Sequence, residues 1–210
     1  MREMIVNMAL KRIADFHGHV CPDLVLGCKL CEFIQQLLPP NEPASGVAAI
    51  IAENATSALD AIQITLGITL GNQRLKVVDM GKHNYTVVPK TVATGFRLML
   101  KPLDCGNEVV YQRLSGKMLE NSMVMDEAAQ LQLLLEERVR YLLRQPPEDL
   151  FTVRPVEIAT QIPEVPSVYL TCCQCGEQVL ASHAVEREDE IYCVSCLQRI
   201  SVACRHRRLH

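Results

Sequence analysis

Apolar residues recur near a helical period through the first sixteen residues, at Ile5, Met8, Ala9, Ile13 and Phe16, and predict an amphipathic helix that ends before Gly18. Pro22, a favoured first helical residue, opens a second helix in which Val25, Cys28, Cys31, Ile34, Leu37 and Leu38 follow one another until Pro39 and Pro40 stop it. The run 46–52 is short, apolar and partly β-branched, as a buried strand is. Ser57, with Asp60 three residues on, resembles a capping arrangement and predicts a helix ending near Gly67. The stretches 75–79, 85–88 and 92–100 then read as three strands of a meander, separated by Gly81, Pro89 and Lys90. From Asp126 to Gln145, leucines 131, 134, 135, 142 and 143 and Val139 alternate with charged residues, a long helix halted by Pro146 and Pro147.

The pattern changes at residues 161–168, where Pro163 and Pro166 flank Glu164 and Val165. This segment is expected to link a core domain over 1–160 to a small module over 169–210. A chain of 210 residues with 49% hydrophobic and 21% charged residues is expected to fold rather than stay disordered. The longest uncharged stretch, Ala61 to Gln73, falls well short of the roughly 20 apolar residues of a spanning helix. The start, MREMIVNMALKR, lacks a signal-peptide pattern, so no membrane partner and a cytoplasmic location are expected. A net charge of −3 provides no global basic field for nucleic acid. Only the tail is basic, with Arg199, Arg205, Arg207 and Arg208 and no acid after Glu190. It reads as a solvated helix end rather than a nucleic-acid contact.

Ten cysteines without a secretion signal point to metal or thiolate chemistry rather than disulfides. In the small module, Cys172 and Cys175 form one CxxC pair and Cys193 and Cys196 another, with seventeen residues between. Such turns converge two thiolates each on one tetrahedral ion, and a module of about forty residues cannot bury enough apolar surface to fold without it. A structural zinc on these four residues is predicted. Cys173 competes with Cys172, but only Cys172 keeps the two-residue spacing. A hairpin from Gln178 to Tyr192 turning at Glu186–Glu190, then a helix from Leu197, gives an order that resembles a treble-clef zinc finger, with His183 on its surface. The other CxxC, Cys28 with Cys31, lies on the apolar face of a predicted helix and reads as core packing.

The segment Phe16-His-Gly-His-Val-Cys-Pro-Asp23 sets His17, His19 and Cys21 at alternating positions, which project to one side in an extended chain. Pro22 steers Cys21 away from helical dihedrals and makes it the cap of the next helix, its sulfur beside free backbone N–H groups. Two chemistries fit: a transition-metal site with an open position, or a cysteine nucleophile activated by a neighbouring imidazole.

The stretch FHGHVCPDLVLG resembles the FHGHxCPGLxLG signature of the formylmethanofuran dehydrogenase FmdE family. Glu53-Asn54, 58–63, Leu66-Gly67, Thr69 and 79–82 extend the resemblance over roughly residues 10 to 100. It implies an α+β core domain, commonly a homodimer, whose histidine and cysteine cluster is a candidate metal or active site, followed by the finger. It also implies association with a molybdenum or tungsten enzyme of one-carbon metabolism, as an accessory subunit or enzyme. The chain departs from the family at Ser57 and Ile68, where cysteines are usual, and at Asp23, where glycine is usual and where a carboxylate competes with Cys21 for the same N–H groups. Asp60 is expected to bind metal or orient a histidine, and Lys82, after Gly81, either to meet an anionic substrate or to sit in solvent. The other reading is a non-enzymatic interaction or regulatory protein that has lost its core site and uses the finger to bind nucleic acid or protein.

Overall fold

A computed structural model describes residues 2–39, 46–90, 94–158 and 167–199. The chain divides into two compact units, Met1–Ile162 and Pro163–His210. All but the last two residues of the expected linker, and Arg205, Arg207 and Arg208 of the basic tail, lie outside the described residues.

In the first unit, helix α1 (Arg2–His17) closes at Gly18, whose φ of 103° suits glycine and whose N–H bonds to the Ala14 carbonyl at 2.7 Å. Helix α2 (Pro22–Leu37) takes Pro22 at its start, with Cys21 extended ahead of it at φ −134° and ψ 164°. Strand β1 (Val47–Ala52) leads into α3 (Ala58–Leu66), which ends at Gly67 with φ 63°. Ser57 is not the cap that the spacing suggests. Its backbone is already helical, and it is Thr56 Oγ1 that accepts from the Ala58 N–H at 3.4 Å.

Strand β2 (Leu75–Val77) pairs in parallel with β1, Ile50 opposite Leu75. A parallel pair needs a crossover, and α3 supplies it. The expected meander therefore starts one strand later. It runs from β3 (Asn84–Pro89) to β4 (Thr94–Leu100), then, after α4 (Glu108–Leu119), α5 (Met125–Arg144) and the single turn α6 (Pro147–Leu150), to β5 (Phe151–Glu157). The sheet order is β2-β1-β3-β4-β5, with every pair but the first antiparallel.

Alternation sorts the sheet into two faces. Ile50, Ala52, Tyr85, Val87 and Leu98 are buried together with Val25, Ile34, Ile62 and Leu66 of the helices. The row Ile51, Thr86, Arg97 and Arg154 lies on the more open face. Helices α2 and α3 meet at Gly27, where an added Cβ would stand 2.6 Å from the Ala58 carbonyl oxygen and 2.8 Å from the Ala61 Cβ. A separate contact joins α4 to α5 through Leu114, Leu131 and Leu134. It is pinned by Arg138, which bonds Glu108 at 2.7 Å and lies 4.0 Å over the Tyr111 ring.

The second unit, taken by itself, holds two hairpins where one was expected. Strand β6 (Tyr169–Thr171) pairs with β7 (Gln178–Leu180), and after a 3₁₀ turn β8 (Ala184–Arg187) pairs with β9 (Glu190–Cys193). Glu188 and Asp189, at φ 55° and 63°, give the second hairpin the doubly left-handed turn that matches strand twist. A helix begins at residue 194, three residues before the expected Leu197.

Candidate metal centres

The core cluster stands where α1 ends and α2 begins, against the first turn of α3. His17 is the last residue of α1, so the stretch 17–21 is not extended throughout as the alternation supposes. The turn at Gly18 brings the three side chains together instead. The His17, His19 and Cys21 donor atoms all lie within 4.8 Å of one another. Cys21 Sγ is 3.8 Å from His17 Nε2, and the two imidazoles stack with centroids 4.8 Å apart at 34°.

Asp60 holds this arrangement from α3. Its Oδ2 is 2.7 Å from His17 Nδ1, while its Oδ1 accepts from Gln63 Nε2 at 3.3 Å. A carboxylate on Nδ1 fixes the proton there and leaves the Nε2 lone pair toward Cys21. Beneath the cluster, Ile13 of α1, Leu24 of α2 and Ala61 of α3 form a buried contact with Cys21 and Cys28 packed on it. The three elements that carry His17, Cys21 and Asp60 are thus locked to one another by apolar packing. Burial pushes the Cys28 thiol up to about 12 and Cys31 higher still, so both are packing groups rather than thiolates, as the sequence suggests.

Lys82 stands between Gly81 and β3. Its side chain is exposed, and its backbone does the bonding: the N–H donates to the Glu53 carbonyl at 3.0 Å, and the carbonyl accepts from Asn54 Nδ2 at 2.9 Å. Asn54, only 1% exposed, also accepts from Thr56 Oγ1 at 2.9 Å, which satisfies a buried amide and fixes the chain entering α3. Asp23 leans toward His83, with 3.6 Å between its Oδ1 and Nε2, and His83 Nδ1 in turn shares a 3.0 Å hydrogen bond with the buried Tyr85 hydroxyl. Burial pushes the Tyr85 phenol up and keeps it protonated. Sequence reasoning left this Asp23–His83–Tyr85 line unassembled; its one signal is the apolar-facing position of Tyr85 in the β3 alternation. Ile68 is fully buried in the core.

A cleft of about 440 Å³ opens beside the cluster, with His19 and Cys21 on one wall and α5 on the other.

In the second unit the Cys172, Cys175, Cys193 and Cys196 sulfurs also lie within 4.8 Å of one another. The Cys193 N–H points at Cys172 Sγ from 3.3 Å, and chiefly this pulls the Cys172 thiol down to about 6. Hydrogen bonding with the Cys193 sulfur, chiefly, pushes the Cys196 thiol up to about 12. Gly176, at φ 74°, makes the tight turn after the first pair, its N–H on the Cys172 carbonyl at 2.9 Å. Cys173 is exposed and outside the four. The donor set is that of a closed structural site.

A family model described as FmdE, molybdenum formylmethanofuran dehydrogenase operon, matches residues 16–152. A protein of Archaeoglobus fulgidus described as a probable S-adenosyl-L-methionine-binding protein is 27% identical over 204 residues, which cover 89% of this chain and 52% of that protein. The chain thus spans about half the length of this curated relative. Among solved structures, a tungsten formylmethanofuran dehydrogenase FmdE-like protein from Syntrophus aciditrophicus matches over 91% of each chain, with a TM-score of 0.59 and 22% identity. At that identity the likeness is one of fold. Among the described residues no helix is long and apolar enough to cross a membrane.

Proposed function

Because the chain belongs to the FmdE family, we propose that it is a metal-binding protein of formylmethanofuran dehydrogenase-related one-carbon metabolism, acting as an accessory subunit or enzyme. In this reading a transition metal binds at His17, His19 and Cys21, and a structural zinc at Cys172, Cys175, Cys193 and Cys196. The work divides between a core over 1–160 and a finger over 169–210, joined by 161–168. The family's link to a molybdenum enzyme operon supports association with a molybdenum or tungsten enzyme; a cytoplasmic homodimer belongs to the same reading.

The observation that carries the core assignment is the convergence of three donors within 4.8 Å, one of them oriented by a carboxylate at 2.7 Å. Two imidazoles and a thiolate suit zinc, nickel, cobalt or iron(II) rather than magnesium or calcium. Three protein donors leave a coordination position free, and a metal bound there would supply Lewis acidity beside the cleft. Asp60 keeps the proton on His17 Nδ1, Cys21 presents its sulfur at the head of α2, and His19 stands at the cleft wall. A core that had lost its site would gain nothing from this convergence, so the purely regulatory reading has less support.

Elemental analysis of the purified, untagged protein tests the reading. Two metals per chain are expected in the wild type and one in Cys21→Ser or His19→Ala. A single metal that neither substitution affects would sink the core site.

A further inference from the structure

The second wall of the cleft has chemistry of its own. Leu135 and Val139 form an apolar strip there, flanked by Gln132, Glu136 and Arg140, all on one face of α5. The strip borders the face that α5 buries through Leu131, Leu134 and Leu142: Leu135 is half-buried against the contact of α4 with α5, and Val139 against the main core, each leaving its outer part to the cleft. Arg140 does not pair with Glu136, one turn away. Its Nε donates to the Glu136 backbone carbonyl at 3.2 Å, while the Glu136 carboxylate accepts from Gln132 Nε2 at 3.2 Å. Among the described residues Arg140 forms no ion pair, and its terminal amines have no protein acceptor. The wall thus presents a cation and an anion held apart, both exposed, with an apolar strip beside them.

A simple organic anion would meet Arg140 but be repelled by Glu136, and a simple amine would meet the reverse. A zwitterion satisfies both. We propose that this cleft binds a molecule with an α-amino acid head group, its carboxylate on Arg140, its ammonium on Glu136 and its apolar substituent along Leu135 and Val139 toward the Cys21 wall. The assignment deepens the metal-site reading and rests on it for what is done to the ligand. The cleft volume, about 440 Å³, is that of a small-molecule site and exceeds a free amino acid, leaving room for a larger substituent.

The test uses the full-length protein, with L-norleucine as probe and hexanoate and pentylamine as its analogues lacking the ammonium or the carboxylate. Binding is followed by amide chemical shifts over residues 132–140, and metal content is measured on the same samples. L-Norleucine is expected to bind about tenfold or more tighter than either analogue, the scale of one charge-assisted hydrogen bond. Arg140→Ala should weaken both norleucine and hexanoate by a similar factor, and Glu136→Gln should abolish the preference for norleucine over hexanoate. Both side chains are exposed, so neither variant threatens the fold. Equal binding of norleucine and hexanoate to the wild type overturns the proposal, and so does norleucine binding that survives Arg140→Ala, which is mere chelation by a metal. No binding to protein that carries its core metal overturns the cleft assignment alone; selective, Arg140-dependent binding to protein without a core metal upholds the cleft and overturns the metal reading.

Discussion

With the Asp60 carboxylate 2.7 Å from Nδ1, His17 can offer only Nε2 to a metal, and the ring cannot swing away from Cys21 without breaking that bond. Asp60→Ala is therefore expected to lower core metal affinity about 10- to 100-fold while leaving the finger's metal in place, read by competition with a chelator of known strength. A second carboxylate works on stability instead. Glu53, at the end of β1, accepts from Asn84 Nδ2 at 2.9 Å and Arg97 Nη2 at 2.8 Å, and the Asn84 bond first, then Arg97, holds its carboxyl below the usual range. A carboxyl lowered in the folded state stabilises fully above its unfolded pKa, about 4.3, and loses that contribution as pH falls through the folded value. Thermal melts of the wild type should therefore drop more steeply below about pH 4 than those of Glu53→Gln. The three core donors are legible in the sequence because five consecutive residues hold them all. Asp23, His83 and Tyr85 are not, since nothing local in residue 23 states that a loop sixty residues later will fold over it.

Among the elements, the joint between α2 and α3 is the one on which the site depends. Gly27 lets the first turn of α3 approach so closely that any Cβ must displace the Ala58 backbone, and Asp60 rides on that same turn. Gly27→Ala is expected to cost about 1–3 kcal/mol of stability by overpacking, measured by chemical denaturation, and to weaken core metal binding as Asp60 is pushed from His17. The helices with a clear apolar period were readable to within a residue or two. The elements without such a period were harder to read. Helix α4 buries only Leu114, so its period is faint, and β5 is an exposed edge strand interrupted by Pro155, a residue that argues against a central strand. The partner of β2 escaped for another reason: a three-residue strand carries no record of whether its neighbour is the strand before the helix or the one after it.

For the whole molecule, the two clusters differ in how far along the chain their donors are gathered. The four-cysteine cluster was legible from the CxxC spacing, but the first hairpin was missed because Tyr169–Thr171, the partner of Gln178–Leu180, is too short to announce itself. Cys193→Ser should remove one metal per chain and collapse the amide dispersion of residues 169–199, while the core's signals stay dispersed; full metal retention would overturn the ligand assignment. The finger's donors span a loop with seventeen residues between the pairs, whereas those of the core lie within five residues. Closing so short a loop costs an unfolded chain little entropy, so the stretch from His17 to Cys21 can grip a metal before any fold exists. A ligand that also binds the denatured chain stabilises the native one less. Added metal should therefore raise the melting temperature of the finger far more than that of the core. What folding adds to the core cluster is Asp60, arriving from forty-three residues away to fix His17, so that a metal bound there would be oriented only in the folded protein.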